Sequence, residues 1–214
     1  MTTFLAQKCK CSICGTISEF PLLMSTNAFG SPDLDLRPPK MQRNTMSLWL
    51  QECPSCGYVA DNISEKSEIS RDFLNSEEYV SCDGINFVSE LARIFYRHYL
   101  ICSSSNTRDA FFALLHAAWV CDDCGDDDNA RRCRELAAPI AKSLMGAPRG
   151  LGENIGLIRA DILRRSGQFD ALIKEYSSVR YSNDVMNDVI RFELALAKKK
   201  DTACYTIDDA VKSK

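Results

Sequence analysis

Histidine is scarce in this chain, with two residues in 214. Neither stands beside a Ser or Cys nucleophile motif, so a hydrolytic triad is not expected. Long apolar runs are absent too. The longest, Phe111 to Leu115 and on past His116 to Val120, falls far short of the ~20 residues a membrane span needs. The opening Met1-Thr-Thr-Phe-Leu-Ala-Gln-Lys-Cys9 has no apolar core of the kind a secretory signal carries. Charge of one sign is lacking: 26 Lys+Arg stand against 29 Asp+Glu, a net charge of -3. A protein that grips nucleic acid by neutralising phosphates would show a basic excess. Residues 1–60 carry five basic and four acidic side chains and the remainder 21 and 25, so neither part is basic.

Cysteine, by contrast, is abundant at eleven. Without a secretory signal, this points to a reducing, cytoplasmic compartment, where clustered cysteines serve as metal ligands more often than as disulfides. The strongest pattern is Cys11-Ser-Ile-Cys14-Gly15 repeated as Cys53-Pro-Ser-Cys56-Gly57. A C-x-x-C turn sets two thiolates on one side of a tight loop, and the following glycine accepts the backbone conformation that turns N–H groups toward sulfur. Two such knuckles supply four thiolates for a tetrahedral ion, and Zn²⁺ is the usual cytosolic occupant. Cys11, Cys14, Cys53 and Cys56 are therefore the predicted ligands. Cys9 makes the first motif C-x-C-x-x-C, but the knuckle glycine favours Cys11 and Cys14. Four thiolates leave no coordination position for water, so the site reads as structural rather than catalytic.

The composition predicts an α+β chain: a small β zinc ribbon over residues 1–60, a polar connector over 61–84, and an all-α region over 85–214. In the ribbon, Phe20 to Met24 and Met46 to Gln51 are candidate strands around a loop running from Asn27 to Lys40. That loop groups Asp33, Asp35 and Arg37, either as a turn held by local polar bonds or as a recognition surface. Beyond residue 84, apolar spacings of 3 and 4 predict helices over Asn86–Cys102, Arg108–Cys124, Asn129–Leu144, Asn154–Ser166, Asp170–Val179, Asn183–Lys199 and Ile207–Ser213. Pro139 should kink or split the third of these. Thr206 with Asp209 makes an acidic capping box for the last. Gly125 and Gly167 act as helix stops 42 residues apart, and removing about eight linker residues from Gly146 to Glu153 leaves roughly the 34-residue tetratricopeptide period, so repeat-like hairpins are expected, with an unrelated helical bundle as the alternative.

Cys121-Asp-Asp-Cys124 imitates a third knuckle but lacks a second pair, and packing is the plainer reading. Trp49 and Trp119 are expected as core anchors. The loop-like Gly150-Leu-Gly152-Glu-Asn-Ile-Gly156 has neither the spacing nor the preceding strand of a dinucleotide site.

Taken together, Cys11-x-x-Cys14-Gly, Asp33-Leu-Asp-Leu-Arg-Pro38, Trp49-x-x-x-Cys53-Pro-x-Cys56-Gly-Tyr58, Ala118-Trp-x-Cys-Asp-Asp-x-Gly-Asp126 and Arg132-Cys-Arg134 resemble a group of bacterial proteins that join an N-terminal zinc ribbon to a tetratricopeptide-like helical region. The resemblance implies a bacterial cytoplasmic protein with zinc on Cys11, Cys14, Cys53 and Cys56, and it supplies no reaction. The leading expectation is an adaptor whose helical hairpins bind a protein or peptide. The alternatives are nucleic-acid binding through Arg37, Lys40 and Arg43, and an enzyme using the Asp33/Asp35/Arg37 loop or an exposed thiol such as Cys82.

Overall fold

The computed structural model describes residues 2–146 and 152–213. Most of the linker expected after Gly146, including Gly150 of the dinucleotide-like segment, lies outside them. The chain forms two compact units, one of Met1–Phe29 with Lys40–Asp126 and one of Gly30–Pro39 with Asp127–Lys214. Two small antiparallel sheets precede a helical region, so the α+β class is observed.

In the first unit, strands β1 (Thr3–Lys10) and β2 (Ile17–Ser25) pair across the first cysteine knuckle, with Lys10 opposite Ile17 and Leu5 opposite Leu22. Strands β3 (Gln51–Glu52) and β4 (Val59–Ala60) pair across the second. This corrects the expected pairing of Phe20–Met24 with Met46–Gln51. The first segment lies in β2, whereas Lys40–Arg43 forms a short helix, α1, and Met46–Leu48 a 3₁₀ turn. Each knuckle is itself a tight turn, so the segments flanking it meet at less entropic cost than strands separated by a long loop.

The connector holds two one-turn helices, α2 (Arg71–Leu74) and α3 (Glu77–Val80). The hydroxyls of Ser70 and Ser76 cap them by accepting from the N–H groups of Phe73 and Tyr79. Helix α4 (Glu90–Cys102) then turns at Ser103–Asn106 to pack against α5 (Thr107–Cys124). Helix α4 starts at Glu90, a turn later than Asn86. Upstream of it, the Val88 N–H bonds the Asp126 carboxylate at 3.0 Å. Ala110 to Cys121 of α5 are buried except around Phe112 and His116, as its nearly all-apolar middle requires.

The second unit is helical: α6 (Asp127–Met145), α7 (Glu153–Arg165), α8 (Phe169–Tyr176), α9 (Asp184–Lys198) and α10 (Ile207–Lys212). Helix α6 packs on α7, α7 on α8 and α9, and α9 on α8 and α10. Contrary to the expected split, α6 runs unbroken through Pro139. The ring sits on an exposed face, where a carbonyl left without its N–H partner can turn to water. The Thr206–Asp209 capping box is present in both directions.

Gly30–Pro39 of the inter-knuckle loop belongs to this helical unit. Leu34 is buried in a cluster with Val189 and Ala210, flanked by Leu157, Phe192, Tyr205 and Ile207. Its N–H donates to the Tyr205 carbonyl at 3.0 Å, and the Ile207 N–H donates to the Pro32 carbonyl at 3.0 Å. A stretch some 170 residues upstream thus supplies part of the C-terminal core. Nearby, the fully buried Arg164 guanidinium is satisfied by Glu193 at 2.6 Å, Asp161 at 2.7 Å, and the carbonyls of Asp201 and Ala203.

Candidate metal centre

The two knuckles have the same backbone geometry. The Cys11 N–H donates to the Thr16 carbonyl at 2.9 Å and the Gly15 N–H to the Cys11 carbonyl at 2.9 Å; the equivalent bonds, Cys53 to Tyr58 and Gly57 to Cys53, measure 2.8 and 2.9 Å. Closing the turn this way requires a left-handed residue at its fifth position. Gly15 and Gly57 take φ of 78° and 70°, which a side chain would penalise. N–H groups are left over for the sulfurs: Thr16 bonds Cys14, Tyr58 bonds Cys56, and Ser55 and Cys56 bond Cys53.

These turns bring the Sγ atoms of Cys11, Cys14, Cys53 and Cys56 within 4.8 Å of one another. Cys11 Sγ lies 3.7 Å from Cys56 Sγ and Cys14 Sγ lies 3.5 Å from Cys53 Sγ. A tetrahedron with metal–sulfur bonds of ~2.3 Å has edges of about 3.8 Å, so the four sulfurs fit one ion at their centre. All four predicted ligands are brought together. Cys11 and Cys53 are buried and Cys14 and Cys56 half-buried, and soft sulfur donors in this number are compatible with zinc. Burial raises the thiols of Cys53 and Cys56, whereas the Thr16 hydroxyl and N–H lower Cys14 to about 6.

A shell of neighbours fixes the knuckles. The Ser12 N–H donates to the Ile63 carbonyl, and the Ile63 N–H donates to Gln51 Oε1, so one buried residue ties the two hairpins together. The Tyr79 hydroxyl of α3 donates to the Gly57 carbonyl at 2.6 Å. Arg97 of α4 pairs with Glu52 and with Asp83. The second knuckle is thus fastened to α3 and α4.

The other candidates fall elsewhere. Cys9 is buried on β1 opposite Ser18 and outside the sulfur cluster. Cys121 is buried at the end of α5, and the Cys124 thiol donates back to the Cys121 carbonyl at 3.4 Å. Cys82 is buried rather than exposed, with its thiol raised by burial. Asp33, Asp35 and Arg37 are buried as well. Arg37 Nε pairs with Asp33 at 2.6 Å, its N–H bonds Asp35 Oδ1 at 3.1 Å, and Asp35 lies 3.8 Å from Arg165. The loop is a buried polar turn, held both by these local bonds and by its long-range bonds to Tyr205, Ile207 and Arg165. Of the three basic residues nominated for nucleic acid, Arg37 is therefore consumed internally, and Arg43 pairs with Asp123 at 3.6 Å.

Sequence reasoning missed the convergence of His98, His116 and Trp49 around one cavity. They sit on two helices and just after a 3₁₀ turn, and no spacing in the chain reveals how these pack. Trp119 is buried, as a core anchor should be. Compared with known proteins, the chain matches no family model, no curated protein and no solved structure.

Proposed function

We propose that the protein is a cytoplasmic interaction module. Zinc bound by Cys11, Cys14, Cys53 and Cys56 is structural, and tetratricopeptide-like hairpins among α6 to α9 hold a protein or peptide partner. The observation that carries the reading is the closed set of four sulfurs, which leaves a metal no open position for substrate or water. A ribbon of this size makes a marginal core alone, and structural zinc contributes an apparent ~10–16 kcal/mol near neutral pH. None of the eleven cysteines is in a disulfide, which is compatible with a reducing, cytoplasmic setting. Among the described residues, no helix is long and apolar enough to cross a membrane.

Partner binding is supported by a cavity of about 380 Å³ in the second unit, walled by Met145, Tyr176, Val179 and Tyr181. Its size and apolar walls suit an anchoring side chain from a partner. The test is recovery of the tagged full chain after cross-linking in cells, together with Val179→Glu. One near-stoichiometric protein or peptide is expected, lost in the variant while metal content is unchanged. A chain recovered alone, or a partner indifferent to the variant, refutes the reading.

A further inference from the structure

The first unit contains a second candidate site that the metal centre does not use. The chain's two histidines line one cavity of about 370 Å³, with Trp49, Phe95 and Phe112 among its walls and Asp61 and Asp109 among its polar groups. Asp61 and Asp109 are exposed, whereas Phe95 is buried, which places the carboxylates at the mouth and an aromatic ring in the floor. His116 sits among rings: Trp49 and Phe95 meet it edge-on at 5.0 and 5.3 Å, and Trp119 and Phe112 at 4.9 and 6.0 Å.

The electrostatics of this cavity are unbalanced. Burial lowers His98 and holds His116 down at about 3, so both imidazoles are neutral at pH 7. Burial also raises Asp61. Asp109 accepts from Asn106 Nδ2 at 2.5 Å. Among the described residues, no Lys or Arg pairs with either carboxylate. The Arg108 guanidinium lies 6.0 Å from the Phe112 centroid. The cavity therefore offers two carboxylates, two neutral imidazoles and several π faces, all of which favour positive charge.

Among the described residues, the one group of three or more Cys, His, Asp or Glu side chains close enough to share a metal ion is the cysteine cluster. Dispersed acceptors around an aromatic floor instead match a cation with several N–H donors and an apolar tail. We infer that this cavity binds a small protonated alkylamine, its ammonium held by Asp61 and Asp109 at the mouth and its chain laid against Trp49, Phe95 and Phe112. The volume lies within the range of small-molecule sites.

The experiment is calorimetric titration of the metal-loaded full chain with n-butylammonium chloride at low ionic strength near neutral pH, with sodium butyrate as the charge-reversed control. Saturable binding of the ammonium and none of butyrate is expected. Asp61→Asn should weaken binding about tenfold or more, the worth of a charge-assisted bond. Asparagine is isosteric with aspartate, so that variant should keep the fold, checked by unchanged metal content and a cooperative melt. Phe112→Leu, which removes a wall without touching charge, should weaken binding as well. No saturation by about 10 mM, where affinity would be negligible, overturns the inference. So does equal binding of butyrate, or an affinity indifferent to Asp61→Asn.

Discussion

Cys9 and Cys14 give the sharpest test of the metal centre, because Cys9-x-Cys11-x-x-Cys14 offers three sulfurs for two places. The structure decides by position: Cys14 Sγ lies 3.5 Å from Cys53 Sγ, while Cys9 faces Ser18 across the β1–β2 ladder. If structural zinc contributes ~10–16 kcal/mol over four thiolates, each is worth roughly 3 kcal/mol. Cys14→Ser should then lower affinity by about a hundredfold or more. Cys9→Ser exchanges one small buried group for another, costs about 1 kcal/mol of stability, and leaves affinity and one ion per chain unchanged. The assay is elemental analysis after gel filtration, with affinity from competition against a chromogenic chelator. Metal loss from Cys14→Ser should also lower the melting temperature of the first unit, because Tyr79 and Arg97 fasten the second knuckle to α3 and α4. Equal loss of metal from the two variants, or a wild-type chain purified without metal, would refute the assignment.

Two further outcomes follow from packing and titration. Leu34→Ala should destabilise the second unit by about 2–4 kcal/mol in chemical denaturation, whereas Leu36→Ala, at a 41% exposed position, should stay within about 0.5 kcal/mol; equal effects would show that the loop is not an anchor. His116 takes up its proton at about 3 when folded and near its ordinary 6.5 when unfolded, so the unfolded chain binds more protons in between. Stability therefore falls as pH drops below about 6.5, by at most ~1.4 kcal/mol per pH unit for this group. His98 acts in the same direction; Asp61, raised by burial, acts oppositely at lower pH. Denaturation between about pH 5 and 6.5 should give a flatter profile for His116→Phe, and an unchanged slope would contradict a neutral, buried imidazole.

The local structures were legible from neighbouring residues. Two C-x-x-C-G segments encode two turns, because spacing and glycine alone fix where sulfurs and N–H groups point. Apolar periodicity, the Gly125 and Gly167 stops and the Thr206 cap located the long helices, since each signal acts within a turn or two of the chain. Tertiary structure decided what those signals leave open. Strand pairing went to the neighbours of each knuckle, where closure is cheapest, rather than joining Phe20–Met24 to Met46–Gln51. The Asp33–Arg37 loop looked like a polar surface feature, yet Leu34 carries it into a core built with Val189 and Ala210. Its carboxylates are buried because Arg37 and Arg165 compensate them, and that pairing across the chain has no sequence signature. His98, His116 and Trp49 read as three unrelated positions, and only the packing of α4, α5 and the segment after the 3₁₀ turn sets them around one cavity. Local geometry is a property of a few adjacent residues, whereas convergence depends on how whole elements pack.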